Sequence, residues 1–241
     1  MIQARSIDVF FSAQSFQEND LRNKTVVVID VLRATSTMVT ALMNGARGVI
    51  PVGDMGEASK ISQNLDSENH LLCGEKDGVK IEGYDLGNSP LEYTREHVEG
   101  KTLIFNTTNG TKAVKKSMGA SNVMIGAFLN LTAVSRYLES SQNDVILLCA
   151  GWKGRLALED TLLAGAIIYK LYGGSLPDTA PDGAKVAFGL FEKYRDDIES
   201  VILQSNHAVR LADIVENNDV SYCCKIDLCD IVPVLTDGII S

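Results

Sequence analysis

Asp30 directly follows the β-branched run Thr25-Val26-Val27-Val28-Ile29, and Arg33, Thr35, Ser36 and Thr37 follow it at the start of an apolar helical pattern. A carboxylate at the end of a buried strand sits on a rigid element, where it can hold a metal ion or simply cap the next helix. Arg33 supplies a forked cation. The three hydroxyls, beside the unpaired N–H groups of a helix N-terminus, make a seat for phosphate. An ordinary cap needs only one such hydroxyl.

A second donor-rich stretch, Thr107-Thr108-Asn109-Gly110-Thr111, follows the apolar Thr102-Leu103-Ile104-Phe105. Gly110 would let the backbone approach a ligand closely, although a plain helix cap accounts for the stretch equally well. Glu75 lies just past Leu71-Leu72-Cys73, again a carboxylate beyond a strand. Glu159 and Asp160 open a helix, where the macrodipole favours acidic residues in any case. Together with Asp30 and Glu75 they could complete a magnesium site, because that ion takes a few carboxylates, water and substrate phosphate. Asn88, in Gly87-Asn88-Ser89-Pro90, is open to either a binding or a structural role, whereas Ser89 and Pro90 read as N-cap and first helical residue.

Cys149 and Arg155 satisfy the Cys-x5-Arg spacing of thiolate phosphatases. Leu156 stands where those enzymes carry a hydroxyl residue, and Trp152 and Lys153 crowd the loop, so a buried structural cysteine is the competing account. A Gly-x4-Gly-Lys-Ser/Thr loop is missing, and Leu32 occupies the place of the second aspartate needed for aspartyl-phosphate chemistry. Attack by metal-activated water is the favoured route.

The elements that must position these residues follow a repeated order of strand, polar loop and helix. Such an order predicts an α/β fold, layered α/β/α, with a mostly parallel or mixed sheet, and ligands bound beyond the strand carboxyl ends. Gly45-Ala46 and Gly119-Ala120 lie 74 residues apart, as do Thr37 and Thr111. One domain over residues 1–241 is expected, with a weak internal repeat at about 25–60 and 102–135; chance likeness between two strand–helix–strand units accounts for the offsets equally well, and two pseudo-repeated lobes with facing loops are the sharper reading. Asp54 with Glu57 predicts a capped short helix, residues 183–216 read as largely helical, and 230–240 as a closing strand with a turn at Asp237-Gly238.

A net charge of −9 excludes nucleic acid and anionic membranes as natural partners and requires that any small anion be captured locally. No apolar run approaches the roughly 20 residues that span a bilayer, and no signal-peptide pattern opens the chain, so a cytoplasmic location is expected. Five cysteines, two of them in apolar runs, suit reduced thiols. Cys223, Cys224 and Cys229 have no histidine in their segment, which argues against zinc.

Asp30-Val31-Leu32-Arg33-Ala34-Thr35-Ser36-Thr37, Gly74-Glu75, Gly87-Asn88-Ser89-Pro90, Thr107 to Thr111 and Glu159-Asp160 together resemble the pattern of the 2-phosphosulfolactate phosphatase family, from about Ser6 to Pro233. Ser205-Asn206-His207 with Arg210 resembles a late block of that family. The resemblance implies an α/β fold, Mg2+ dependence and hydrolysis of 2-phosphosulfolactate, or a related phosphorylated 2-hydroxy acid, to sulfolactate and phosphate, a step towards coenzyme M. Asp30, Glu75, Glu159 and Asp160 are then the expected metal residues. Asp30, Arg33, Glu75 and His207 are the expected catalytic residues. Arg33, Thr35, Ser36, Thr37, Asn88, Thr107, Thr108, Asn109, Gly110, Thr111, Arg155 and Arg210 are expected to bind the phosphorylated acid, and Lys153 is a further cation for its other anionic groups. A non-catalytic receptor for anionic metabolites is the rival, and it has little use for clustered carboxylates. The apolar composition and short helices suit a homodimer.

Overall fold

The computed structural model describes residues 6–14, 16–66, 68–215 and 218–241. Along the chain come β1 (Ile7–Phe10), β2 (Thr25–Ile29), α1 (Ala34–Met43), β3 (Gly48–Val52), α2 (Met55–Ser62), β4 (His70–Lys76) and β5 (Val79–Lys80). Next are α3 (Arg95–Val98), β6 (Thr102–Asn106), α4 (Gly110–Lys116), β7 (Asn122–Gly126), α5 (Leu131–Ser140) and β8 (Val145–Cys149). The chain closes with α6 (Leu158–Leu171), α7 (Asp182–Tyr194), α8 (Ile198–Leu203), α9 (Asn206–Ala212), α10 (Asp219–Cys223), β9 (Leu235–Thr236) and β10 (Ile239–Ile240).

The fold is α/β with two sheets. One is wholly parallel, in the order β1-β8-β2-β7; the other is mixed, in the order β5-β4-β6-β3-β10-β9, with β4, β6 and β3 parallel. The two segments expected to match are shared between the sheets. Each sends one strand to each, so that β2 lies beside β7 with Val26 opposite Val123, and β3 beside β6 with Val49 opposite Leu103.

Burial follows pattern closely. The β2 run is buried on every residue, as a strand covered on both faces must be. In α1 the residues Ala34 to Ala41 are all buried. That helix has no charged face to turn to water, and its side chains join strands of both sheets in one core with Val26, Val49, Leu103 and Phe105. The other face of the parallel sheet packs on α5, α6 and α7 through residues such as Val134, Leu162, Ile167 and Phe191.

Asp54 accepts a hydrogen bond from the Glu57 N–H at 2.8 Å, while Glu57 Oε2 takes the Gly53 N–H at 2.7 Å, one residue before the expected partner. The expected closing strand is only a hairpin. Asp237 and Gly238, both at positive φ (50° and 83°), turn β9 back on β10. Pro90 begins a single 3₁₀ turn instead of a longer helix, and the Ser89 hydroxyl leaves the cap position to donate to Asp219 Oδ1 at 2.6 Å. No helix among the described residues is long and apolar enough to cross a membrane.

Candidate active site

The carboxyl ends of β2, β4, β6 and β8 open on a cleft of about 120 Å³. Asp30, Arg33, Glu75, Asn88, Thr108, Asn109, His207 and Arg210 all line it, although they come from distant parts of the chain. Such a crevice beyond parallel strand ends is where this architecture leaves backbone groups and loops free to meet a ligand.

Asp30 is 7% exposed. Its N–H donates to Thr35 Oγ1 at 3.0 Å, and its Oδ1 accepts from the Ala34 N–H at 3.4 Å. Gly110 abuts it so closely that a Cβ would stand 2.7 Å from Asp30 Oδ2 and 2.5 Å from Ala34 Cβ. The close approach expected between Gly110 and a ligand is made instead to Asp30 and α1. Burial pushes the Asp30 carboxyl up to about 6; His207 opposes that rise, and Glu75 and Glu159 add to it.

Glu75 is engaged at both oxygens. Oε1 accepts from the Thr108 N–H at 2.6 Å, and Oε2 from the Gly78 N–H at 2.6 Å and the Thr108 hydroxyl at 3.0 Å. Gly74 makes this possible, because a Cβ there would lie 1.9 Å from the Asn106 carbonyl oxygen of β6. Asp160 Oδ1 accepts from the Val31 N–H at 2.9 Å and Oδ2 from the Gly151 N–H at 3.1 Å, tying the loop after β2 to the loop after β8. Burial, then the charges of Glu159 and Asp30, raise its carboxyl well above the usual range.

Glu159, 1% exposed, meets His207 from behind: Oε1 lies 2.6 Å from His207 Nδ1. Facing a carboxylate, Nδ1 carries the proton and Nε2 is left for another partner. The His207 ring stacks on Trp152 at a centroid distance of 5.4 Å, and Lys153 Nζ sits 4.5 Å over the same indole. Trp152, Lys153, Asp77 and Gly78 also border the cleft.

Other expected residues lie elsewhere. Thr35, Ser36 and Thr37 are fully buried, and none lines the cleft. The Ser36 hydroxyl donates to the Val31 carbonyl at 2.8 Å and Thr37 to the Asn88 carbonyl at 2.9 Å, so these side chains brace loops. Thr107 and Thr111 bond each other: the Thr107 N–H reaches Thr111 Oγ1 at 3.1 Å. Arg155 pairs its backbone with Trp152, and its exposed side chain stands outside the cleft. Cys149 is fully buried in β8, where burial followed by Asp160 and Glu159 holds its thiol well above the ordinary value. A thiolate mechanism therefore lacks both its nucleophile and its cation. Asp77, Gly78 and Trp152 were not among the expected site residues; Asp77-Gly78 is legible in hindsight as a tight-turn pair after Glu75.

Magnesium is testable against this geometry. Among the described residues no three acidic, histidine or cysteine side chains are grouped so as to hold an ion by themselves. Buried Glu159 Oε2 and Asn88 Oδ1, however, have no hydrogen-bond partner among the described residues, and Asp30 is an acid made costly to ionise. Asp30 and Asn88 line the cleft, and Glu159 borders an adjoining hollow lined also by Trp152 and His207; oxygen donors of this kind are the chemistry a magnesium ion completed by water and phosphate takes.

A set of strand-end loops that gathers buried carboxylates, a histidine and cations at one cleft defines an α/β enzyme for small anionic substrates. The profile described as 2-phosphosulpholactate phosphatase matches residues 10–238. A "Probable 2-phosphosulfolactate phosphatase" of Caldanaerobacter subterraneus subsp. tengcongensis is 44% identical over 235 residues, 97% of each chain. One from Thermotoga petrophila is 46% identical over 216 residues, covering 90% of this chain and 91% of its own. A third, from Clostridium beijerinckii, is 41% identical over 232 residues, 96% of this chain and 97% of its own. The chain belongs to the 2-phosphosulfolactate phosphatase family, a family of phosphoric monoester hydrolases.

Proposed function

We propose that this protein hydrolyses 2-phosphosulfolactate, or a closely related phosphorylated 2-hydroxy acid, to the hydroxy acid and phosphate with the help of Mg2+. The observation that carries the reading is the meeting of the buried Asp30 carboxyl with Arg33, His207, Lys153 and Arg210 around one small cleft. Family membership supplies the reaction class, and the geometry supports the assignment of roles.

Asp30 would be the principal holder of the cation, with Glu159 and Asn88 contributing oxygens that lack partners among the described residues. Bound there, magnesium would neutralise phosphoryl charge and make a water more acidic. Glu75 and Asp160, each engaged by two backbone N–H groups, keep the surrounding loops in place. The Arg33 guanidinium and Asn109 would grip the phosphoryl oxygens, where charge grows as the bond to the ester oxygen breaks. Lys153 and Arg210, exposed at the rim, would take the remaining anionic groups of the substrate. His207, oriented by Glu159 and Trp152, would act with both ring nitrogens protonated, keeping the Nδ1 proton on Glu159 and handing the Nε2 proton to the departing alkoxide.

We also read the chain as a single domain with an internal repeat, an organisation supported by the exchange of strands between its two sheets. The functional test is phosphate release over a panel of phosphorylated hydroxy acids, with magnesium and with a chelator. Release from 2-phosphosulfolactate that requires the metal is expected; equal release in chelator would remove the metal role, and no release from any member would remove the phosphatase reading.

A further inference from the structure

Arg33 is a long cation only 3% exposed, and burial at that depth needs a compensating charge. The charge comes from far along the sequence. Asp219 Oδ2, at the start of α10, accepts from Arg33 Nη1 at 2.6 Å, and Arg33 Nη2 donates to the Gly78 carbonyl at 2.9 Å. Asp219 is itself 1% exposed, and its Oδ1 takes the Ser89 hydroxyl at 2.6 Å. Ser89 follows Asn88, which lines the cleft and whose carbonyl is held by Thr37.

We propose that Asp219 is a positioning residue that aims the Arg33 guanidinium at an oxyanion in the cleft. A guanidinium carries five N–H donors in one rigid plane. Fixing one N–H on Nη1 and one on Nη2, through partners on two different elements, sets the orientation of that plane and of the three N–H groups that remain. The Asp219 carboxylate is the stronger of the two fixings, being charged and short. A lysine at position 33 has no such plane to orient. The inference rests on the phosphatase reading for what the oxyanion is, but its geometry concerns any tetrahedral oxyanion.

A counter-ion that served only folding would act on the site regardless of what stands at position 33. A residue that positions the Arg33 guanidinium loses that part of its effect once the guanidinium is gone. The test is therefore a double-mutant cycle, read as the dissociation constant of inorganic phosphate by 31P NMR and, separately, as KM and kcat for the best substrate. Asp219→Asn should weaken phosphate binding by about tenfold or more in the natural background and by less than about twofold in an Arg33→Lys background. Ser89→Ala, a milder change should Asp219→Asn fail to fold, should show the same dependence at smaller amplitude. An equal loss in both backgrounds for the variant that folds would overturn the proposal, as would a natural protein that binds no phosphate. Phosphate binding without turnover would count against the phosphatase reading alone.

Discussion

The loop after β2 and the loop after β6 are locked in the same way and equipped differently. In each, the first residue past the strand donates its N–H to a threonine hydroxyl on the following helix: Asp30 to Thr35 at 3.0 Å, Thr107 to Thr111 at 3.1 Å. Only the first loop then presents a charge of its own, a carboxyl pushed up to about 6 by burial and neighbouring acids. The second has no acidic residue and is filled by Glu75 from β4, which occupies the Thr108 N–H and hydroxyl and leaves Asn109 on the cleft. Two similar scaffolds thus divide the labour. On the proposed function, one would offer a seat for a cation and the other a neutral donor for an oxyanion.

Asp30→Asn breaks that division most severely. Turnover should fall by more than the ~10²–10³-fold typical of losing one preorganised donor. The same change should stabilise the metal-free fold. Because its folded value of about 6 lies above the ordinary 3.8, the folded protein binds this proton more tightly than the unfolded chain does. The contribution of the group to stability therefore falls as pH rises from about 4 to about 6 and stays lost above that window. Asp30→Asn should therefore make the metal-free protein more stable than the natural one at pH 7, by a margin that shrinks toward pH 4, measurable by denaturant unfolding in chelator. A variant both inactive and less stable would contradict the picture of a strained, functional acid.

Next in size is His207→Ala, expected to lower kcat by ~10²-fold with a smaller change in phosphate affinity, as the loss of a proton donor should. An unchanged kcat would move the proton donor elsewhere. Thr35→Val and Thr111→Val compare the two locks directly. Each leaves a buried N–H without its acceptor, at a cost of about 1–3 kcal/mol in unfolding experiments. Only Thr35→Val should also impair turnover strongly, since it alone loosens a loop that carries a charge. Smallest of all is Cys149→Ser, which should leave turnover intact, and the buried thiol of the folded protein should resist alkylation at neutral pH.

Much of the cleft was legible because strand ends are legible. Apolar runs followed by Asp30, by Glu75 or by Thr107 to Asn109 point to one face of a parallel sheet, and that face is where these residues meet. What the pattern could not show is how each donor is already engaged. The hydroxyls of Thr35 to Thr37 resemble a phosphate seat when only neighbours in sequence are considered; in three dimensions they bond to Asp30, Val31 and Asn88. Pairing of Arg33 with Asp219 spans 186 residues, and no local spacing encodes it. The sharing of strands between two sheets escapes a linear reading for the same reason: a strand–helix–strand unit states its order, not which sheet receives its second strand.

A divalent ion seated at the Asp30 side of the cleft is the centre of the proposed function. Titration of Mn2+ followed by electron paramagnetic resonance, in the natural protein and in Asp30→Asn, reads that seat without reference to turnover. One saturable site in the natural protein, displaced by Mg2+ and lost in Asp30→Asn, is the predicted result. Equal Mn2+ affinity in both proteins, or no bound Mn2+ in either, would contradict it.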